Sequence, residues 1–203
     1  MSEMMLTWFV RISLCSVLVT STSIAVAAGT QLYDVEYEVI STVIDHGVGS
    51  SAGNIIIDGV TTGEVVSVVD PTRSPDELAQ DLGTTVIALR EWSRSNKRRY
   101  ILREKLAITG EYLLLEETER SEIFNDENPS VNWQQFRTRF PQAGGIIRVS
   151  RPGIDDVAEA AVLYLEYQCG AQCGSGRLVN LVMTDAGHWR VTTGELVWIT
   201  SPE

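Results

Sequence analysis

The stretch 157-VAEAAVLYLEYQCGAQCGSGRLVNLVMTDAGHWRVTTGELVWIT-200 decides the fold. Its first part, residues 157–167, is apolar at both alternating sets of positions, which is typical of a strand covered on both faces. Residues 178–184 and 188–200 predict two more strands, and the residues between them, 185–187, have the composition of a turn. Because the connections are short, these strands predict an antiparallel meander.

Two details extend this prediction. Residues 146–150 form another short apolar segment, which ends at the turn pair Pro152-Gly153 and adds a fourth strand. In the last strand both faces are apolar after Gly194, so Gly194 predicts a β-bulge.

The preceding part of the chain favours helices. Residues 32–44 carry a broad apolar face at helical spacing, although their Val, Ile and Tyr content leaves a strand as the alternative. A second helix is predicted from Ser74, which forms a capping box with Glu77, to about Asn96, with Gly83 weakening its centre.

A third helix is predicted over residues 129–140, with Asn128 as its cap and an aromatic stripe that favours core packing. Residues 54–57 and 64–69 predict two short strands, and Asp58-Gly59 between them is a hairpin signal. We therefore expect a single α+β domain over residues 29–203, with helices packed on a C-terminal antiparallel β-meander.

Residues 1–28 predict a cleavable signal peptide. Arg11 precedes an apolar run over 12–26, and the small residues that follow favour cleavage after Ala27 or Ala28. The run is about 15 residues, whereas a membrane-spanning helix needs about 20, so an uncleaved anchor is the weaker alternative. Lipidation at Cys15 is disfavoured because Leu14, rather than a small residue, precedes it. We expect the mature protein to be periplasmic or secreted, without a transmembrane anchor.

Charge narrows the range of partners. The chain has a net charge of −11, and the predicted signal peptide, with Glu3 and Arg11, contributes nothing to it. Such acidity disfavours nucleic acid and anionic lipid as partners. Residues 90–105 are strongly basic and residues 111–127 strongly acidic, which we interpret as solvated and mutually screening surfaces; a basic strip that binds an anion is the alternative.

Cys169 and Cys173 are the two cysteines of the predicted mature chain. An even pair in an exported protein predicts a disulfide, here across the end of a hairpin. A redox pair is the alternative, but the spacing is CxxxC and no helix follows it to lower a thiol pKa. Metal binding by the pair is the third possibility.

The C-terminal third resembles a group of bacterial exported proteins that share the pattern FP, GII, SRxGF, CGxxCGxG, GxW and WIS. The matching segments are Phe140-Pro141, Gly145-Ile146-Ile147, Ser150-Arg151-Pro152-Gly153, the block 169-CGAQCGSG-176, Gly187-His188-Trp189 and Trp198-Ile199. Pro152 and Ile154 depart from the pattern. The resemblance implies export and a paired cysteine block, and since no activity is established for the group, it carries over no catalytic residue.

Catalytic motifs are weak in this sequence. Residues 49-GSSAG-53 match the G-x-S-x-G motif, so Ser51 with Asp156 and His188 is the candidate for a serine hydrolase. The motif requires a helix after the serine, whereas residues 54–57 predict a strand. A carboxylate-dependent hydrolase is a further alternative, without any pair singled out. No metal site or cofactor motif is recognised. The sequence favours a non-enzymatic binding or envelope-associated domain.

The export hypothesis predicts a defined product. When the full-length chain is expressed in a bacterial host, the protein recovered from the periplasm or medium should lack residues 1–27 or 1–28, because peptidase accepts small residues at these sites. Intact-mass spectrometry of each cell fraction checks this. A full-length mass in the membrane fraction would support the uncleaved anchor instead.

Overall fold

The computed structural model describes residues 31–48, 54–63 and 73–200. The predicted signal peptide, Ser51 and the predicted strand 64–69 lie outside the described residues. Within the described ranges the helices are α1 (Asp34–Val48), α2 (Pro75–Leu82), α3 (Val86–Ser95), α4 (Glu117–Ile123) and α5 (Pro129–Arg139). The strands are β1 (Ile55–Asp58), β2 (Tyr112–Leu115), β3 (Ile146–Val149), β4 (Gly153–Asp155), β5 (Ala160–Gly170), β6 (Cys173–Met183) and β7 (Trp189–Thr200).

These strands form one sheet in the order β2-β1-β3-β5-β6-β7, and β4 pairs with β5 beside this path. The half built from β3, β5, β6 and β7 is antiparallel, which confirms the predicted C-terminal meander and the α+β class. On the other side, β1 runs parallel to both β2 and β3. The sheet is therefore mixed, and its parallel part joins segments that are far apart in the sequence.

Helices cover both faces of the sheet. The predicted helix near the N-terminus is α1, and its apolar side packs on one face, against Ile57, Leu163 and their neighbours. On the opposite face, α2 and α3 pack over Val162 and Leu178. The aromatic stripe of α5, together with α4, packs farther along that same face; this second cluster consists of Ile56, Leu115, Ile123, Trp133, Phe136 and Ile146.

The helix predicted from Ser74 to Asn96 is divided in two. The capping box of Ser74 and Glu77 is present and starts α2. Gly83 ends α2 with a left-handed φ of 65°, and the side chain of Thr85 then caps α3 by accepting a hydrogen bond from the Ala88 amide. A left-handed residue followed by a second cap stops one helix and starts the next.

Three local predictions, two turns and one β-bulge, are wrong in detail. Asp58-Gly59 is not a hairpin turn, because parallel neighbours fill both edges of β1 and the Gly59 amide donates to the Leu115 carbonyl at 2.8 Å. Gly153 begins β4 rather than a turn, since only a glycine lets the backbone of α3 approach so closely. Gly194 itself pairs regularly with Val179, and the bulges lie on either side of it, at Thr192 and Val197.

The predicted disulfide between Cys169 and Cys173 is present, with a Cα–Cα distance of 5.0 Å. It closes the turn between β5 and β6. Among the described helices, none has both the length and the apolar character needed to cross a membrane.

This bond gives a chemical prediction. Both cysteines of the purified mature protein should resist alkylation until a reductant is added, which mass spectrometry can measure. Because the closed loop is short, the C169S/C173S variant should lose only about 1–2 kcal/mol of unfolding free energy. Two thiols that alkylate without reduction would contradict the pairing.

Candidate functional site

One row of side chains crosses the sheet on the face that α2, α3, α4 and α5 cover, and its members lie at the same level along the strands. The paired positions run from Leu115 through Asp58, Arg148 and Glu166 to Gly176 and Trp198, one from each successive strand. Arg120 reaches this level from α4, and Tyr164 and Gln168 flank Glu166 on β5. We call the polar row the set Asp58, Arg120, Arg148, Tyr164, Glu166, Gln168 and Trp198.

The polar row lies between the two apolar clusters on this face. The pair α2–α3 packs on the side of Val162, and the pair α4–α5 packs on the side of Ile146. Asp58 is fully buried, whereas the side chains of Arg148 and Arg120 are 24% and 29% exposed. The gap between the helix pairs therefore leaves a charged strip of the sheet within reach of solvent.

Asp58 is the most buried group of the row. Its Oδ2 lies 3.2 Å from Arg120 Nε and 3.4 Å from Arg148 Nε. Neither contact has hydrogen-bond geometry, so Oδ2 and Arg148 Nε are both buried without a hydrogen-bond partner among the described residues. Its Oδ1 accepts from the Val60 amide at 3.3 Å. Such unsatisfied groups are rare in native proteins, and each one calls for an explanation.

Glu166 connects several other side chains of the polar row through hydrogen bonds. Its carboxylate accepts hydrogen bonds from Arg148 Nη1 at 3.1 Å, from Gln168 Nε2 at 2.6 Å and from the Tyr164 hydroxyl at 3.4 Å. Burial raises the pKa of Tyr164 to about 12. The phenol therefore stays protonated at any physiological pH, and it can donate to Glu166 while accepting from the indole of Trp198.

Trp198 lies flat on a floor of two glycines. A Cβ on Gly176 would meet the ring at Nε1, and one on Gly174 would lie 3.1 Å from the outer edge of the ring. The indole Nε1 donates to the Tyr164 hydroxyl at 2.6 Å. The extra residue Val197 forms the bulge that precedes Trp198 and packs with α2–α3. Bulges commonly redirect side chains beside functional sites.

A second buried ion pair differs from the polar row. Arg151 Nε donates to Glu36 Oε1 at 2.5 Å, and its guanidinium stacks over the Tyr100 ring at 4.5 Å. The other oxygen of Glu36 accepts from the Tyr33 amide at 2.7 Å. Because these contacts satisfy both partners while fastening α1 to the rest of the fold, we interpret this pair as structural.

The residues of the predicted serine hydrolase are not assembled by the described part of the chain. Asp156 and His188 are both exposed, in the turns before β5 and β7, and no hydrogen bond joins their described side chains. Ser51 lies outside the described residues. Within those ranges, no three His, Cys, Asp or Glu side chains are grouped to hold a metal ion.

The basic and acidic segments are partly paired with each other. Arg99 of the basic segment donates to Glu117 of the acidic one at 2.6 Å. Two further basic residues pair elsewhere, Arg94 with Glu91 and Lys105 with Asp34. These exposed pairs are consistent with solvated surfaces that screen one another, and each contributes little to stability.

Comparisons of the chain with protein-family models, with curated proteins and with solved structures found no match.

The sequence prediction missed the polar row. Its residues are separated by up to 140 positions. The antiparallel strands align Arg148, Glu166 and Trp198, and the parallel pairing of β1 adds Asp58 to them. One signal was present: Arg148 and Glu166 each interrupt a strand that is otherwise apolar on both faces. Since a charge on a buried strand is costly, such an interruption indicates a partner or a function.

The polar row should be replaceable without loss of stability. In R148M, the carboxylates of Asp58 and Glu166 stay buried and lose a partner, so we expect about 3 kcal/mol less unfolding free energy. The triple variant D58N/R148M/E166Q keeps similar shapes and leaves only the partly exposed Arg120 charged in the row, so it should be within about 1 kcal/mol of the wild type. Urea denaturation measures both. A triple variant as unstable as R148M would mean that the row is a structural scaffold.

Proposed function

We propose that the mature chain is an exported, non-enzymatic binding domain, secreted or envelope-associated, whose ligand occupies the polar row. The observation that carries this proposal is the in-register line of charged side chains in the gap between α2–α3 and α4–α5. The exposed parts of the Arg148 and Arg120 side chains support it, because a ligand in that gap can contact these side chains, which the buried Asp58 holds in place.

Stability alone is a poor reason for these charges. Two arginines and two carboxylates are partly or fully removed from water, at a cost of several kcal/mol per ion before their attraction is counted. Apolar residues already fill this face on both sides of the row. A row that interrupts an apolar surface, and is accessible only between helices, is typical of a small-molecule site with a few orienting polar groups.

The chemistry of the row favours binding over catalysis. It contains no histidine, serine or cysteine, so nucleophilic catalysis has no obvious agent there. The Tyr164 hydroxyl is already engaged with Trp198 and Glu166, which leaves the two carboxylates as candidates for acid–base work. Arg148 lies between them, however, and Asp58 is fully buried beside two arginines. Asp58 has no contact with solvent, and the Glu166 carboxylate already accepts from three donors, so neither is placed to exchange a proton with a substrate.

Ligand binding at the row is testable by thermal shift. The panel consists of the twenty amino acids, succinate, inorganic phosphate and four neutral tetrasaccharides: chitotetraose, cellotetraose, maltotetraose and mannotetraose. At a hundred times its Kd, a ligand stabilises a protein by about 2.7 kcal/mol, which corresponds to a Tm increase of about 5–10 °C for a domain of this size. We expect at least one compound to raise the Tm of the wild type.

The triple variant D58N/R148M/E166Q is the matched control, because it is designed to fold normally without three of the four charges of the row. It should lose the shift given by the same compound. An equal shift in both proteins would place the ligand elsewhere, and a panel without any shift would count against a small-molecule binding domain.

A further inference from the structure

We propose that Trp198 is an aromatic platform for a pyranose ring, so that the ligand of the polar row is a neutral glycan. This inference rests on the proposed function, since it identifies the ligand class of the same site. The supporting features are the position of the indole, its absence from the three apolar clusters of the described residues and the balance of charge beside it.

The indole of Trp198 presents one face away from the sheet. Gly174 and Gly176 lie against its sheet side so closely that a Cβ at either position would contact the ring. Its Nε1 is already engaged by Tyr164. The side chain is nevertheless partly exposed, and because the sheet side is covered by backbone, the exposed part lies on the outer side. The remaining contact surface is an apolar, electron-rich ring face.

Trp198 also differs from the other described tryptophans. Trp92, Trp133 and Trp189 are each buried in one of the three apolar clusters of the described residues. Trp198 belongs to none of them, although it is held in place by a hydrogen bond and a glycine floor. A large aromatic side chain that is oriented firmly but left unpacked is suited to contact a ligand.

A pyranose matches this surface. Its axial C–H groups form an apolar face with a partial positive charge, which complements the negative face of an aromatic ring. Its hydroxyls both donate and accept, and the groups beside Trp198 offer both functions: the Glu166 carboxylate accepts, while the Arg148 guanidinium and the Gln168 amide donate. The hydroxyls of a ring stacked on Trp198 would meet these groups at its edge.

Charge argues against an anionic ligand and gives no local preference for a charged one. The two arginines of the row are balanced by its two carboxylates, Asp58 and Glu166, so the row has no net charge. The chain as a whole carries −11, which repels anions. A neutral compound with many hydroxyls avoids both penalties and can still satisfy the polar groups.

The test is titration of the mature protein with the four tetrasaccharides, followed by tryptophan fluorescence and by calorimetry. We expect at least one of them to bind, and its binding to change the emission of the wild type. W198A should weaken that binding by roughly tenfold or more, because it removes the stacking surface. G176A should weaken it as well, because the new Cβ would displace the indole from its floor.

Two further variants make the result specific. I199A is the matched control: Ile199 is the next residue on β7, is 62% exposed and lies on the other face, so this variant should bind as the wild type does. W198F keeps an aromatic face and should retain more affinity than W198A, while losing the fluorescence response. Loss of binding in W198A with a normal urea midpoint excludes misfolding as the cause.

The outcomes separate this inference from the proposed function. If no tetrasaccharide binds but succinate, phosphate or an amino acid does, and D58N/R148M/E166Q loses that binding, the glycan is wrong and the binding site stands. If a tetrasaccharide binds equally to W198A and the wild type, the platform is wrong. If no compound of either kind binds, both proposals fail.

Discussion

Burial of β5 on both faces is the constraint on which the rest of the structure depends. From Ala160 to Glu166 each residue of this strand is buried, so both faces must be covered. Fully burying a residue such as Leu163 or Val162 stabilises the fold by about 1.5–3 kcal/mol. If only one face of the strand were covered, the residues on the other face would not contribute this stabilisation. The single helix α1 covers one face. The other face needs the pairs α2–α3 and α4–α5, and two pairs leave a gap between them.

The polar row occupies that gap, which explains its mixed character. Glu166 is on the strand that demands burial, yet it belongs to neither of the apolar clusters that the described helices form on this face. Arg148 and Arg120 are long enough to reach solvent with their guanidinium groups while their stems pack beside the helices. The charges are therefore tolerated because they lie between the two helix pairs, although apolar residues in the same place would be at least as stable. That difference is the reason to assign the row a function.

Elements that are formed by interactions between residues close in the sequence were predictable, and elements formed by distant residues were not. The capping box at Ser74, the proline-started helix α5 and the doubly buried β5 depend on neighbouring residues, and the sequence predicted them. The parallel pairing of β1 with β2 and β3 joins segments about 55 and 90 residues apart, so the local sequence pattern does not predict it. For the same reason, Asp58 was interpreted as part of a turn. The fold class was therefore predictable, whereas the candidate site was not.

The glycines around the disulfide show how a local interpretation can be incomplete. From the sequence alone, glycines such as Gly174 and Gly176 beside a tight cysteine loop are explained by the backbone freedom that the loop needs. Within the fold, however, neither has a positive φ, and the Cβ positions of both are taken by Trp198. Their role is thus to admit a side chain from the next strand. The cysteine-glycine block and Trp198, which are separate segments of the sequence, form one structural unit. The indole requires the glycine floor, and the disulfide closes the hairpin that supplies this floor.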